Sequence, residues 1–136
     1  MMDRELAALY DADAAARAIG IELADVSIGR AVLRLRVTES MINGHGLAHG
    51  GYVFLLADTA FAYACNSHGP ATVASGAEIT FVAPARLGDE LIASAVERTR
   101  FGRNGIYDVT VNRVVLSGTT VIAEFRGRSR VVDERP

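Results

Sequence analysis

Tyr52-Val53-Phe54-Leu55-Leu56-Ala57-Asp58-Thr59-Ala60-Phe61-Ala62-Tyr63-Ala64-Cys65-Asn66 is rich in alanine and carries one formally charged residue, Asp58. His68-Gly69-Pro70 comes next and ends it, so the spacing predicts one helix over 52–66. A helix that is apolar nearly all round must be covered on every side. The remainder of the chain therefore has to wrap it.

Beyond the helix the chain reads as strands. Stretches 72–82, 90–100, 106–116 and 119–132 alternate or run apolar, separated by turn-forming segments at 84–89, 102–105 and 117–118. Before it, 3–18 places Leu6, Leu9, Tyr10 and Ala14 near one face, predicting a short leading helix stopped by Gly20. Segments 21–26 and 30–37 then predict a hairpin, because Ala31-Val32-Leu33-Arg34-Leu35-Arg36-Val37 alternates cleanly and Ser27-Ile28-Gly29 supplies the turn. The order is helix, two strands, buried helix, four strands. It predicts an α+β domain over 1–136 with the main helix on one face of a six-stranded antiparallel sheet. One such sheet cannot enclose the helix, so an obligate homo-oligomer is expected.

Composition narrows the function. Half of the 136 residues are hydrophobic, enough for one real core. A net charge of −2 and a pI near 5.9 give no pull toward nucleic acid. All fourteen basic residues are arginine, which fits base composition better than a demand for bidentate contacts. Cys65 is the single cysteine, excluding an intrachain disulfide and a cysteine-rich metal site. No basic start leads into an apolar stretch, and no run approaches the ~18 apolar residues of a membrane span. A cytoplasmic protein without membrane attachment is expected.

Asp58 calls for an explanation, since a carboxylate in an apolar helix is costly unless solvated, hydrogen-bonded or functional. A water-filled groove between subunits, or a bond from Thr59, would account for it. So would chemistry. Ahead of the helix stands Asn43-Gly44-His45-Gly46-Leu47-Ala48-His49-Gly50-Gly51, a glycine-rich approach to a helix N-terminus. Free N–H groups and the helix dipole there can stabilise an oxyanion. No Gly-Lys-Ser/Thr and no strand with the right glycine spacing is present, which excludes the usual nucleotide-binding loops.

Asn43-Gly44-His45, His49-Gly50-Gly51 and Leu56-Ala57-Asp58-Thr59-Ala60-Phe61-Ala62-Tyr63-Ala64-Cys65-Asn66-Ser67 together resemble the signature of the phenylacetic-acid-degradation (PaaI-type) thioesterases. Ile79-Thr80-Phe81-Val82-Ala83-Pro84-Ala85-Arg86-Leu87-Gly88-Asp89 extends the likeness, which covers most of 20–130. The resemblance implies a hotdog fold, in which the sheet wraps the central helix, and a dimer or dimer of dimers. It implies hydrolysis of an acyl-coenzyme A thioester, with an aromatic acyl group such as phenylacetyl, and no cofactor or metal. It also implies that Asp58 is the catalytic acid, Gly50 the oxyanion amide, and Asn43, His49 and Thr59 supporting residues.

Gly50 and Asp58 are eight positions apart, about 12 Å along a helix axis, so one thioester carbonyl can hardly touch both. Two sites shared across a two-fold interface would resolve this. The carboxylate would attack the thioester or activate water, and the sequence does not choose. Asn43 fits a water-positioning role or a turn, His49 a structural role ahead of a catalytic one, and Thr59 a bond to Asp58 or back to its own helix.

Other residues point elsewhere. His45, His49 and His68 lack metal-site spacing, Cys65 reads as a small buried hydrophobe, and Ser75 lacks a nucleophile's setting. Arg126, Arg128 and Arg130 share one face of the last strand, and Arg100 and Arg103 flank Gly102, so coenzyme A phosphates or a solvated sheet edge would explain them. A hydratase acting on acyl thioesters is the competing enzyme class, and a non-catalytic acyl-coenzyme A-binding module the non-enzymatic alternative.

Overall fold

The computed structural model describes residues 4–132. Helices α1 (Arg4–Ala12) and α2 (Ala14–Ala18) lead into strands β1 (Glu22–Ser27) and β2 (Arg30–Arg36). A short 3-10 turn at Glu39–Met41 precedes helix α3 (Gly50–Asn66). Strands β3 (Thr72–Phe81), β4 (Glu90–Phe101), β5 (Asn104–Val115) and β6 (Gly118–Val131) complete the chain. All neighbours in the single sheet are antiparallel, in the order β1-β2-β4-β5-β6-β3. This is the hotdog arrangement, with α3 packed on the concave face against β2, β4 and β5.

Alternation explains the packing. Ala31, Leu33 and Leu35 of β2, Leu91, Ala93 and Ala95 of β4, and Tyr107, Val109 and Val111 of β5 all point inward and are buried. Small residues on β4 let the helix come close, and each large apolar side chain buried between them contributes roughly 1.5–3 kcal/mol. Phe61 is the centre of the contact, its ring 5.6 Å from Tyr107 and 5.8 Å from Phe125. A Cβ on Gly127 would stand 2.8 Å from that ring, so β6 must carry glycine there. Irregular pairing at Leu23/Asp25, Ala74/Gly76, Glu97/Thr99 and Val111/Asn112 bends the sheet around the helix.

The helices and one turn differ from the sequence reading, the turn expected over 102–105 being shorter because β5 already starts at Asn104. The leading helix expected over 3–18 is two helices, because the Asp13 side chain accepts the Ala16 amide at 3.0 Å and starts a new one. Its first expected residue lies outside the described ones. Helix α3 begins two residues before Tyr52, at Gly50, since His49 caps it. Gly20, at φ 85°, does end the leading helical segment.

The wrap is incomplete. None of the ten residues of the edge strand β3 is buried. On α3, the stripe Gly51, Leu55, Asp58 and Ala62 is half-buried or exposed. No helix of the described residues is long and apolar enough to cross a membrane.

Candidate active site

The glycine-rich segment is a tongue held closed by its own bonds. The Asn43 Oδ1 accepts from the amides of His45 at 2.9 Å and Leu47 at 3.2 Å, while the Asn43 amide donates to the Leu47 carbonyl at 2.7 Å. Gly46 makes the reversal at φ 77°, a conformation that favours glycine. Downstream, the His49 amide donates to Met41 and the Ala48 amide to Ala85, which pins the tongue to the segment after β3. The side chain of Asn43 thus shapes the loop, and its carboxamide nitrogen remains for other partners.

His49 is the N-cap of α3. Its Nδ1 accepts the Gly51 amide at 3.0 Å, which requires the neutral ring with its proton on Nε2. The amide of Gly50, first residue of the helix, has no acceptor among the described residues. It lies where the helix dipole is positive. Beside it runs an apolar cleft of about 430 Å³ whose wall includes Asn43, Leu47, Val53, Phe81, Pro84 and Ile122. A carbonyl oxygen developing negative charge in that cleft would find in Gly50 a fixed donor.

Asp58 stands two turns further along α3 and does not line this cleft. It is half-buried, with no hydrogen bond or ion pair among the described residues. Burial, and behind it the charge of Asp13, raises its carboxyl above the ordinary aspartate range. A desolvated, unpartnered carboxylate is a stronger base than a solvated one. Thr59 does not support it: the Thr59 hydroxyl donates to the Leu55 carbonyl at 2.6 Å and is buried on another side of the helix. Asn43, His49 and Gly50 therefore come together in one place, and Asp58 and Thr59 do not join them within one chain.

The remaining candidates fall away from this centre. Burial pushes the Cys65 thiol up to about 12, as expected of an inert core cysteine. Arg126 forks onto Asp108 at 2.7 and 2.9 Å, and Arg128 bonds Glu78 at 3.0 Å, so both serve pairing across the outer sheet face. His68 bridges Arg100 and Glu97 at the far end of α3, at 3.2 and 2.6 Å. No group of three or more His, Cys, Asp or Glu side chains among the described residues could hold a metal ion. Two residues went unnoticed in the sequence for their relation to this site. Phe81 reaches Gly50 from 31 positions away, and Asp13 acts on Asp58 from 45, so local pattern carries no signal of either.

Residues 45–113 match the family model of the thioesterase superfamily. Over 122 residues the chain is 46% identical to the acyl-coenzyme A thioesterase PaaI of Escherichia coli, spanning 90% of this chain and 85% of that one. The chain belongs to the thioesterase superfamily. The structure of the E. coli PaaI protein superposes on this hotdog thioesterase with a TM-score of 0.89, at 43% identity, covering 95% of this chain and 91% of the other. A variant of the phenylacetic acid degradation protein PaaI from Thermus thermophilus gives 0.80 at 32% identity, over 86% and 97%. The residues matched by the family model run from His45 in the tongue through α3 into β5.

Proposed function

We propose that this thioesterase is a single-domain, cytoplasmic enzyme that hydrolyses acyl-coenzyme A, with an arylacetyl group such as phenylacetyl as acyl moiety. Family membership supplies the reaction class. The observation that carries the site is the pair formed by an unpaired Gly50 amide at the start of α3 and an unpartnered, desolvated Asp58 on its open face. The Gly50 N–H stabilises the oxyanion, and Asp58 acts as nucleophile or as general base on water. Asn43 and His49 hold the tongue and the helix start in place, and Thr59 acts only through the helix backbone. No cofactor enters either route.

Because Gly50 and Asp58 stand about 12 Å apart along one helix, the working pair joins Gly50 of one copy to Asp58 of another. The open stripe of α3 and the uncovered edge strand β3 favour a homodimer with two shared sites, which can pair again into a tetramer. The test is complementation. Asp58→Asn and Gly50→Pro subunits are each inactive alone in coenzyme A thiol release from phenylacetyl-coenzyme A. After co-refolding, mixed dimers regain one intact site and roughly a quarter of wild-type turnover under random pairing, counting one good site of two in half the dimers. Mixtures that stay inactive while sizing shows mixed dimers would exclude the shared site. Full activity of Asp58→Asn alone would remove Asp58 from the chemistry, whereas no turnover of any thioester by the wild type would favour the binding-module alternative.

A further inference from the structure

The cleft beside Gly50 is walled by both main chain and side chains. Its long sides are main chain: the Ala48 amide donates to Ala85, and the Val82 and Ala83 amides both donate to Ile122, at 2.7 and 3.2 Å. Its floor is Val53, Ala85 and Ile122, none more than 3% exposed. Phe81 is different. It ends the edge strand β3, is 53% exposed, and its Cζ stands 2.9 Å from where a Cβ on Gly50 would be. The ring therefore stands over the Gly50 Cα at the mouth of the cleft, where its size limits the space beside the amide.

Resting on the reading of Gly50 as oxyanion donor, we propose that Phe81 is the specificity-determining residue of this thioesterase: its ring sets how bulky an acyl group can lie in the cleft with its carbonyl on the Gly50 amide. The occupant is the acyl group, because a pantetheine arm brings two amides that need partners. The cleft offers them few. Its walls are mostly aliphatic, the Asn43 Oδ1 already accepts two bonds, and the amides of Ala48, Val82 and Ala83 are paired. A volume of about 430 Å³ suits a small ring or short chain.

The test measures kcat/KM for butanoyl- and naphthylacetyl-coenzyme A with the wild type, Phe81→Ala and Phe81→Leu, each checked for oligomeric state by sizing. The naphthylacetyl-to-butanoyl ratio is expected to rise on the order of tenfold in Phe81→Ala and part of the way in Phe81→Leu. An unchanged ratio overturns the proposal, as does an equal rise in KM for both substrates, which would put the ring on their common pantetheine arm. If Phe81→Ala fails to fold, the ratio in Phe81→Leu decides. Gly50→Pro runs beside them: its full activity would sink the reading of Gly50 as oxyanion donor, whereas the selectivity ratio alone judges Phe81.

Discussion

His49 accepts the Gly51 amide through Nδ1 at 3.0 Å, and by doing so fixes the orientation of the neighbouring Gly50 amide without occupying it. Gly50 is the first residue of α3, the one helical position where proline costs no hydrogen bond. His49 before it is extended, at φ −63° and ψ 133°, as a residue preceding proline must be. Gly50→Pro should therefore keep the helix and delete the donor, lowering kcat on the order of 10²- to 10³-fold. Gly50→Ala controls for the added bulk against Phe81, because it keeps the N–H. Steady-state kinetics that find both variants equally impaired would make the loss steric.

His49→Ala should lower stability by about 1 kcal/mol through loss of the cap. His49→Asn, which can also cap, should recover most of it. Thermal unfolding and kcat are expected to move together across the pair. A kcat that Asn leaves unrestored while stability returns would instead give the imidazole a role in proton transfer.

Asp13 and Asp58 are coupled by charge across the contact between α2 and α3. Asp58 must be ionised to act as base or nucleophile, so activity should fall as pH drops through its raised pKa. Asp13→Asn keeps the cap on Ala16 and removes the negative neighbour, so the acid limb of kcat/KM should move to lower pH. A limb that stays put would uncouple the two. Stability follows the same shift with opposite effect. A carboxyl whose pKa is higher folded than unfolded weakens the fold above that folded value, and the penalty disappears as pH falls toward the unfolded one. Asp58→Asn should thus raise Tm near neutral pH, and the gain should fade in acid.

Gly127→Ala puts a methyl group 2.8 Å from three atoms of the Phe61 ring, which Tyr107 and Phe125 hold in place. Overpacking of this kind costs about 1–3 kcal/mol. Denaturant unfolding should show the loss, and Gly127→Ala combined with Phe61→Leu should recover part of it. No recovery would mean that the strain lies in the β6 backbone.

The sequence by itself determined the elements and their order. An apolar helix with one carboxylate, strands of period two and glycine or proline at the breaks are local signals, and the backbone obeys them over nearly the whole chain. It also marked Asp58, as a lone charge in an apolar helix, and the glycine-rich entry before that helix, while Gly50, Asn43, His49 and Thr59 were singled out through the resemblance to PaaI-type thioesterases. Only the tertiary structure decided what each does within the chain. Whether Thr59 bonds Asp58 or Leu55, and whether His49 faces the tongue or the helix start, depends on rotamers and on the turn at Gly46. Phe81 over Gly50 and Asp13 near Asp58 are contacts between residues far apart in sequence. They arise from the strand order that leaves β3 at the edge and from the fold of α2 back onto α3, neither of which has a local signature.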